Sequence, residues 1–93
     1  MEALSTTTLE WVGVYTVDVV DSMGEGIADE PVEARYDLGD GRMVRAESIT
    51  DGNGRAIFAD RLPAAPRSVE VEAAGSSWHG PDPVARSMIV IEV

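Results

Sequence analysis

Acidic residues in or beside turns are the first candidates for chemistry in this 93-residue chain. Asp37, Asp40, Asp51 and Asn53 lie close to glycines, and oxygen-rich loops of this kind can hold Ca²⁺. The Asp-x-Asn-Gly string at 51–54 lacks the downstream bidentate glutamate that a helical calcium loop needs. Asp and Asn side chains also bond to their own backbone in tight turns. We therefore expect Asp51, Asn53 and Gly54 to form a structural turn, and we expect no metal and no other cofactor.

A catalytic site needs a base, a nucleophile and an oxyanion donor in one place. The single histidine, His79, lies in a Trp-His-Gly-Pro turn, and no serine near it has the setting of an activated nucleophile. Paired carboxylates for glycoside hydrolysis need a cleft, whereas Glu33, Glu70 and Glu72 occupy the outward positions of alternating strands. We therefore expect that the protein is not an enzyme.

Three aromatic residues offer a different kind of chemistry, which is stacking on a ligand. Trp11, Tyr15 and Trp78 are of types that stack on sugar rings, so a carbohydrate- or receptor-binding adhesion module stays open as an alternative function. Tryptophans in a small domain also belong to cores and interfaces. We expect Trp78 and His79 to lie on a loop over residues 75–83, and we interpret that loop as a contact with a neighbouring subunit.

The elements that position these residues are short strands. Apolar and polar residues alternate over residues 31–38 and 68–73, as in half-buried antiparallel strands. Residues 11–21 are long for one strand, so Gly13 is expected to mark a bend or a bulge. Residues 88–91 are apolar without alternation, so we expect both faces of the last strand to be covered. No apolar pattern of helical period appears over a helical length.

Turns rich in glycine and aspartate separate the strands. Asp40-Gly41 between two strand-like runs predicts a hairpin. The stretch from Thr50 to Phe58 joins a turn to a strand in which Ala56 and Phe58 share one face. These patterns predict an all-β fold, an antiparallel β-sandwich of six to seven strands.

The order of these features from Val17 to Gly75 resembles bacterial immunoglobulin-like repeats of the invasin type. It is also similar to carboxypeptidase regulatory-like and collagen-adhesin B-type modules, which share a transthyretin-like sandwich. The resemblance rests on Thr-Asp-x-Asn-Gly-x-Ala-x-Phe at 50–58, on Leu-Pro at 62–63 and on Val-x-Val-x-Ala-x-Gly at 69–75. It implies an immunoglobulin-like or transthyretin-like β-sandwich that serves as an interaction or scaffolding module. The Lys–Asn isopeptide bond of many collagen-adhesin modules cannot form, because the sequence contains no lysine.

Composition limits the class of partner. Seventeen acidic residues against seven arginines give a net charge of −10, so nucleic acid is not an expected partner. The acidic surface fits either a GC-rich genome, which favours arginine over lysine, or adaptation to high salt. The chain has no cysteine and therefore no disulfide. No apolar run approaches the roughly 20 residues that a membrane helix needs, and the N-terminus does not have the pattern of a secretory signal.

These observations favour a non-enzymatic structural or interaction module. We expect a flexible N-terminal arm at residues 1–9 and a single β-sandwich domain at residues 10–93. The leading hypothesis is a subunit or decoration protein of a larger surface assembly, such as a virion capsid or tail or a cell-surface layer. Its partners would be other protein subunits, second copies included, and its location the virion or the extracellular surface. The predicted partner contacts are Leu4, Leu9, Trp11, Trp78 and His79.

Overall fold

The computed structural model describes residues 11–80 and 88–93, and these residues form seven strands in two sheets. The strands are β1 (Trp11–Val20), β2 (Pro31–Gly39), β3 (Arg42–Ile49), β4 (Arg55–Leu62), β5 (Ser68–Ala73), β6 (Ser76–Gly80) and β7 (Met88–Glu92). One sheet has the order β4-β1-β7 and the other the order β3-β2-β5-β6. The chain is therefore an all-β sandwich, as the alternating pattern predicts. The expected arm at residues 1–9 lies outside the described residues.

Strand β1 is the centre of the three-stranded sheet. It pairs antiparallel with β4 from Trp11 opposite Leu62 to Asp18 opposite Arg55, with no register shift. It pairs parallel with β7, where Thr16 lies opposite Met88. The expectation of antiparallel pairing is therefore confirmed for the other strand pairs and not for this one. The bend expected at Gly13 is wrong, because β1 runs unbroken for ten residues.

The strand order of this sandwich differs from that of an immunoglobulin constant domain. Lettered in chain order, the two sheets read D-A-G and C-B-E-F, whereas an immunoglobulin constant domain reads A-B-E-D and C-F-G. The first strand therefore lies in the middle of one sheet, with the last strand beside it.

None of the described residues forms a helix that is long and apolar enough to cross a bilayer.

The core lies between the sheets and is built from the inward side chains of the alternating strands. It is dominated by valines, with three large aromatic rings among them. The Tyr15 and Phe58 rings, which face each other across β1 and β4, stack with centroids 5.2 Å apart and planes 12° apart. Aromatic pairs of this kind add stability beyond the area that they bury. The buried hydrophobic residues are Tyr15, Val17, Val19, Val32, Ala34, Tyr36, Ala56, Phe58, Leu62, Val69, Val71, Ala73, Ile89 and Ile91.

A polar chain crosses the core between the two sheets. The hydroxyls of Tyr15 and Tyr36 lie 2.5 Å apart, and the Tyr36 hydroxyl donates a hydrogen bond to the Asp60 carboxylate. Burial raises the pKa of Tyr15 to about 12. Burial also raises the pKa of Tyr36, and the hydrogen bond to Asp60 raises it further. These hydroxyls are hydrogen-bonded, as buried polar groups must be if the sheets are to pack stably.

Each tryptophan packs over a glycine two residues further along its own strand. A Cβ atom at Gly80 would lie 2.6 Å from the indole ring of Trp78, and a Cβ atom at Gly13 would overlap the indole ring of Trp11. Residues two apart share a face of a strand, so in each case the missing side chain makes room for the ring. Both indoles are partly buried and pack against the core. The loop expected at Trp78 is therefore wrong, because Trp78 lies in β6.

Candidate interaction surface

The outer face of the three-stranded sheet is apolar. Its outward side chains come from alternate positions of β1, β4 and β7, where neighbouring strands lie about 5 Å apart. Ile57 and Met88 flank Thr16 from either side in one row of the sheet, and Val14 lies in the next row. We call this surface the apolar face. Its exposed large hydrophobic residues are Val12, Val14, Ile57, Met88 and Val90.

The apolar face arises because its three strands carry apolar side chains on both sides. In β7, Ile89 and Ile91 are buried in the core, while Met88 and Val90 point outward and are about half exposed. The expectation that both faces of this strand are covered is therefore wrong for the described residues, which cover one face only. The solvent-facing side of a sheet is ordinarily polar, so an exposed apolar outer side is unusual.

The apolar face carries no net charge in an acidic protein. Two acidic residues, Asp18 and Glu92, and two arginines, Arg55 and Arg61, occupy outward positions on its strands. The Arg55 guanidinium binds Asp18 with both arms, from Nε to Oδ1 at 2.8 Å and from Nη2 to Oδ2 at 3.1 Å. Hydrogen bonding to Asp18 raises the pKa of Arg55. The chain as a whole has a net charge of −10, so the acidity is concentrated elsewhere.

The outer face of the four-stranded sheet has the opposite character. A row of three glutamates runs across it, since Glu33 lies directly opposite Glu47 on one side and Glu72 on the other. Arg35 on β2 offsets part of this charge, with ion pairs to Glu33 at 2.6 Å and to Glu70 at 2.9 Å. A third ion pair joins Arg35 to Glu72 at 3.0 Å. Charged side chains dominate this face, although Met43 and Ile49 of β3 are also exposed on it, so the two outer faces differ mainly in charge.

A concavity of about 310 Å³ lies at one end of this charged face. Glu30, Glu33, Glu47 and Glu72 line it together with small and apolar residues. Within residues 11–80 and 88–93, no group of three or more His, Asp or Glu side chains is placed to hold a metal ion. Asp37, one of the candidate calcium ligands, instead accepts a hydrogen bond from the Gly39 amide at 2.8 Å.

The turn at Asp51 has a geometry that a second turn repeats. The Asp51 carboxylate accepts hydrogen bonds from the amides of Asn53 at 2.8 Å and Arg55 at 3.1 Å. These bonds, the Arg55 amide first, lower the pKa of Asp51. The Asp21 carboxylate accepts in the same way from Met23 and Glu25, both at 2.9 Å. The candidate calcium oxygen of Asp51 is therefore engaged by its own turn.

The structure separates the predicted contact residues. Leu4 and Leu9 lie outside the described residues. Trp11 and Trp78 point inward, and Trp11 packs on Tyr36 with ring centroids 5.7 Å apart. His79 is exposed on the outer face of β6, directly opposite Glu70. Trp11 and Trp78 thus pack within the sandwich and His79 lies on the charged face, so none of these three residues belongs to the apolar face.

The stacking platforms expected for a carbohydrate site are not arranged as a platform. Tyr15 is only 1% exposed and lies in the core. Trp11 and Trp78 are both partly buried, on strands of different sheets. A sugar-binding surface needs aromatic faces that are open to the ligand. The carbohydrate alternative therefore receives no support from these three side chains.

The sequence patterns do not predict the apolar face, although the residues that form it lie in recognisable apolar runs. Val12, Val14 and Ile57 interleave with inward residues that are themselves apolar, so each strand gives a nearly continuous apolar run. Such a run does not reveal whether its second face is covered by the chain itself or left open. Three runs of this kind, at 11–15, 56–59 and 88–91, assemble into one sheet, and that assembly is visible only in the fold.

The function of this protein must be inferred from the structural features described above, because comparison with known protein sequences gives no match. No family model matches the chain, and no curated protein matches it either. Residues 11–80 and 88–93 form a β-sandwich of seven strands with one charged and one apolar outer face, and this is the class that the fold defines.

Proposed function

We infer that this chain is a non-enzymatic structural module that docks onto a neighbouring protein subunit through its apolar face. It would act as a subunit or decoration protein of a larger surface assembly, such as a virion capsid or tail or a cell-surface layer. The observation that carries this proposal is the neutral, apolar outer face of β4-β1-β7 on a protein that is otherwise acidic.

The energetics favour coverage of this face. Ile57 and Val14 are each about 60% exposed, although both are large aliphatic side chains. Burial of apolar surface contributes about 25 cal/mol per Å², so a neighbour that covers several such side chains gains a few kcal/mol. Contiguous exposed apolar patches ringed by polar residues mark interaction sites on soluble proteins. Arg55 and Asp18 supply that polar border at one end of the patch.

The arrangement of the face also suits a rigid contact. Its side chains project from the middle of a sheet, where β1 is bonded to neighbours on both sides. Valine and isoleucine are stiff at χ1 and lose little freedom on binding. A preorganised face of this kind supports docking without rearrangement. The proposal of a surface assembly rests on the resemblance of the sequence to surface-exposed sandwich modules. Such modules act by contacts with other proteins rather than by catalysis.

Incorporation into particles tests the proposal. Tagged wild-type chain, Ile57→Glu and Ile49→Glu would each be produced in the native source and fractionated by sedimentation. Ile49 is a matched control, because it is 58% exposed against 62% for Ile57 and lies on the outer side of the other sheet. We expect the wild type and Ile49→Glu to sediment with large particles and Ile57→Glu to remain in the slow fractions, since docking would bury the new charge.

Two results would contradict the proposal in different ways. Sedimentation of the wild-type chain as a small free protein would show that it is not a subunit of an assembly. Incorporation of Ile57→Glu at the level of Ile49→Glu would show that the apolar face is not the contact.

A further inference from the structure

The shape, area and charge of the apolar face indicate which neighbour covers it. We propose that it is a second copy of this chain, packed face to face through β4-β1-β7 in a twofold dimer. This proposal rests on the proposed function, because it names the subunit that the apolar face contacts.

The face is suited to self-packing. A twofold interface must be complementary to itself, and a broad sheet face with aliphatic side chains meets that condition more easily than a deep groove does. Two sheets pack with their mean planes about 10 Å apart and their strands at about −30°, as the layers of a sandwich do. A face-to-face dimer would therefore extend the architecture that the chain already uses internally.

The area of the apolar face reaches the lower end of the range for a specific dimer. Val12, Val14, Ile57, Met88 and Val90 are 47–62% exposed, which corresponds to about 500 Å² of apolar surface on one copy. Two copies would bury about 1,000 Å² from these side chains alone, and this value reaches the lower limit for a specific interface. Thr16 and Ala59, which lie between them in the sheet, would add to the total.

Charge selects this face for contact between identical chains. Each copy carries a net charge of −10, so two copies repel each other in most orientations. The charged outer face would bring the row formed by Glu33, Glu47 and Glu72 against the same row. The apolar face carries no net charge, and Arg55 already neutralises Asp18 within one copy. A basic partner of different sequence would instead be drawn to the glutamate row, whereas the neutral apolar face allows two identical acidic chains to approach each other.

Sedimentation equilibrium of the purified full chain tests the proposal. The dimer Kd would be measured at about 0.1 M and about 3 M KCl, because salt screens the repulsion between copies. We expect a reversible dimer whose Kd falls at least about tenfold at the higher salt concentration. Ile57→Glu should raise the Kd at least about tenfold, and Ile49→Glu, which adds the same charge on the other sheet, should change it by less than about twofold.

A second variant protects the test against a folding defect. Val90→Glu places a charge on the same face from β7, where the native side chain is 53% exposed. Circular dichroism would confirm that each variant keeps its strand structure. If Ile57→Glu does not fold, Val90→Glu provides the same comparison with Ile49→Glu.

The outcomes separate this proposal from the proposed function. A wild-type chain that stays monomeric at both salt concentrations up to about 1 mM overturns the second copy as the occupant. The proposed function then still stands if Ile57→Glu fails to enter particles. A dimer that Ile57→Glu and Val90→Glu leave intact overturns the face-to-face arrangement. A dimer that only the variants of the apolar face weaken supports it, whether or not the chain enters particles.

Discussion

Gly26 and Gly54 approach each other so closely that neither has room for a side chain. A Cβ atom at Gly54 would lie 2.5 Å from the Cα atom of Gly26 and 2.6 Å from the amide nitrogen of Ile27. A Cβ atom at Gly26 would overlap the carbonyl oxygen of Asn53. The Gly54 carbonyl also accepts a hydrogen bond from the Val19 amide at 2.8 Å. The loop after β1 and the turn before β4 are therefore locked together by backbone contact.

Replacement of Gly54 by alanine is expected to destabilise the domain severely. Gly54 has φ +83°, which costs a non-glycine residue about 1–2 kcal/mol, and the Cβ atom would also collide with backbone that cannot move aside. Gly24 is a matched control, because it occupies the same position in the Asp21 turn, also has φ +83°, and has open space around it. In urea unfolding, Gly24→Ala should cost about 1–2 kcal/mol and Gly54→Ala at least about 3 kcal/mol. Equal losses would show that the close approach contributes nothing.

We expect a side chain at position 13 to displace the Trp11 indole from its packed position. A Cβ atom at Gly13 would overlap the ring, which packs on Tyr36, so the ring must rotate toward solvent. We expect Gly13→Ala to shift tryptophan fluorescence to longer wavelength and to cost about 1–3 kcal/mol in unfolding. In a Trp11→Leu background the same substitution should cost less, because the two residues are coupled. Additive losses in that double-mutant cycle would contradict the packing of the ring over the glycine.

Much of this fold could be predicted from local patterns. Alternation over residues 31–38 and 68–73 gave two strands with the correct inward sides, because one face of each is polar. The Asp51 turn could be predicted for a similar reason, since its aspartate and glycine requirements are local.

The rest of the fold depends on contacts between distant residues. The parallel pairing of β1 with β7 joins Thr16 to Met88, and no local pattern specifies a partner at that separation. The apolar face was missed for the same reason. Val14, Ile57 and Met88 belong to three distant segments, and their outward direction follows from which opposite side faces the core.

Alkaline pH is expected to unfold the protein through its two tyrosines. Burial raises the pKa of Tyr15 to about 12 and raises that of Tyr36, whereas both ionise near pH 10 in the unfolded chain. Their contribution to stability is therefore complete below pH 10 and is lost as the pH rises from 10 toward the folded values. Each tyrosine should lower the free energy of unfolding by about 1.4 kcal/mol per pH unit in that range.

Urea unfolding at several pH values between about 8 and 11 checks this slope, and Tyr36→Phe should reduce it. Spectroscopic titration is specific here, because Tyr15 and Tyr36 are the two tyrosines of the sequence. Tyrosine ionisation with a midpoint near pH 10 in the folded protein would contradict the buried hydroxyl chain.

Salt is expected to offset the loss of Arg35. This arginine binds Glu33, Glu70 and Glu72, and without it these glutamates on two neighbouring strands would repel one another at close range. We expect Arg35→Gln to lower the thermal unfolding midpoint clearly at about 0.1 M KCl and much less at about 3 M, where the Debye length falls below about 3 Å. The wild-type midpoint should itself rise with salt, because the net charge is −10.

Arg45→Gln is the matched control for this effect. Arg45 lies on β3 directly opposite Arg35, so its removal takes away a like-charge neighbour along with one positive charge. Its effect on the midpoint at low salt should be small, although the net charge changes as much as in Arg35→Gln. If both variants lose the same amount of stability, overall charge explains the result and the ion pairs of Arg35 do not. If neither the wild type nor Arg35→Gln responds to salt, repulsion among the glutamates does not limit the stability of this domain, and adaptation to high salt loses its physical basis.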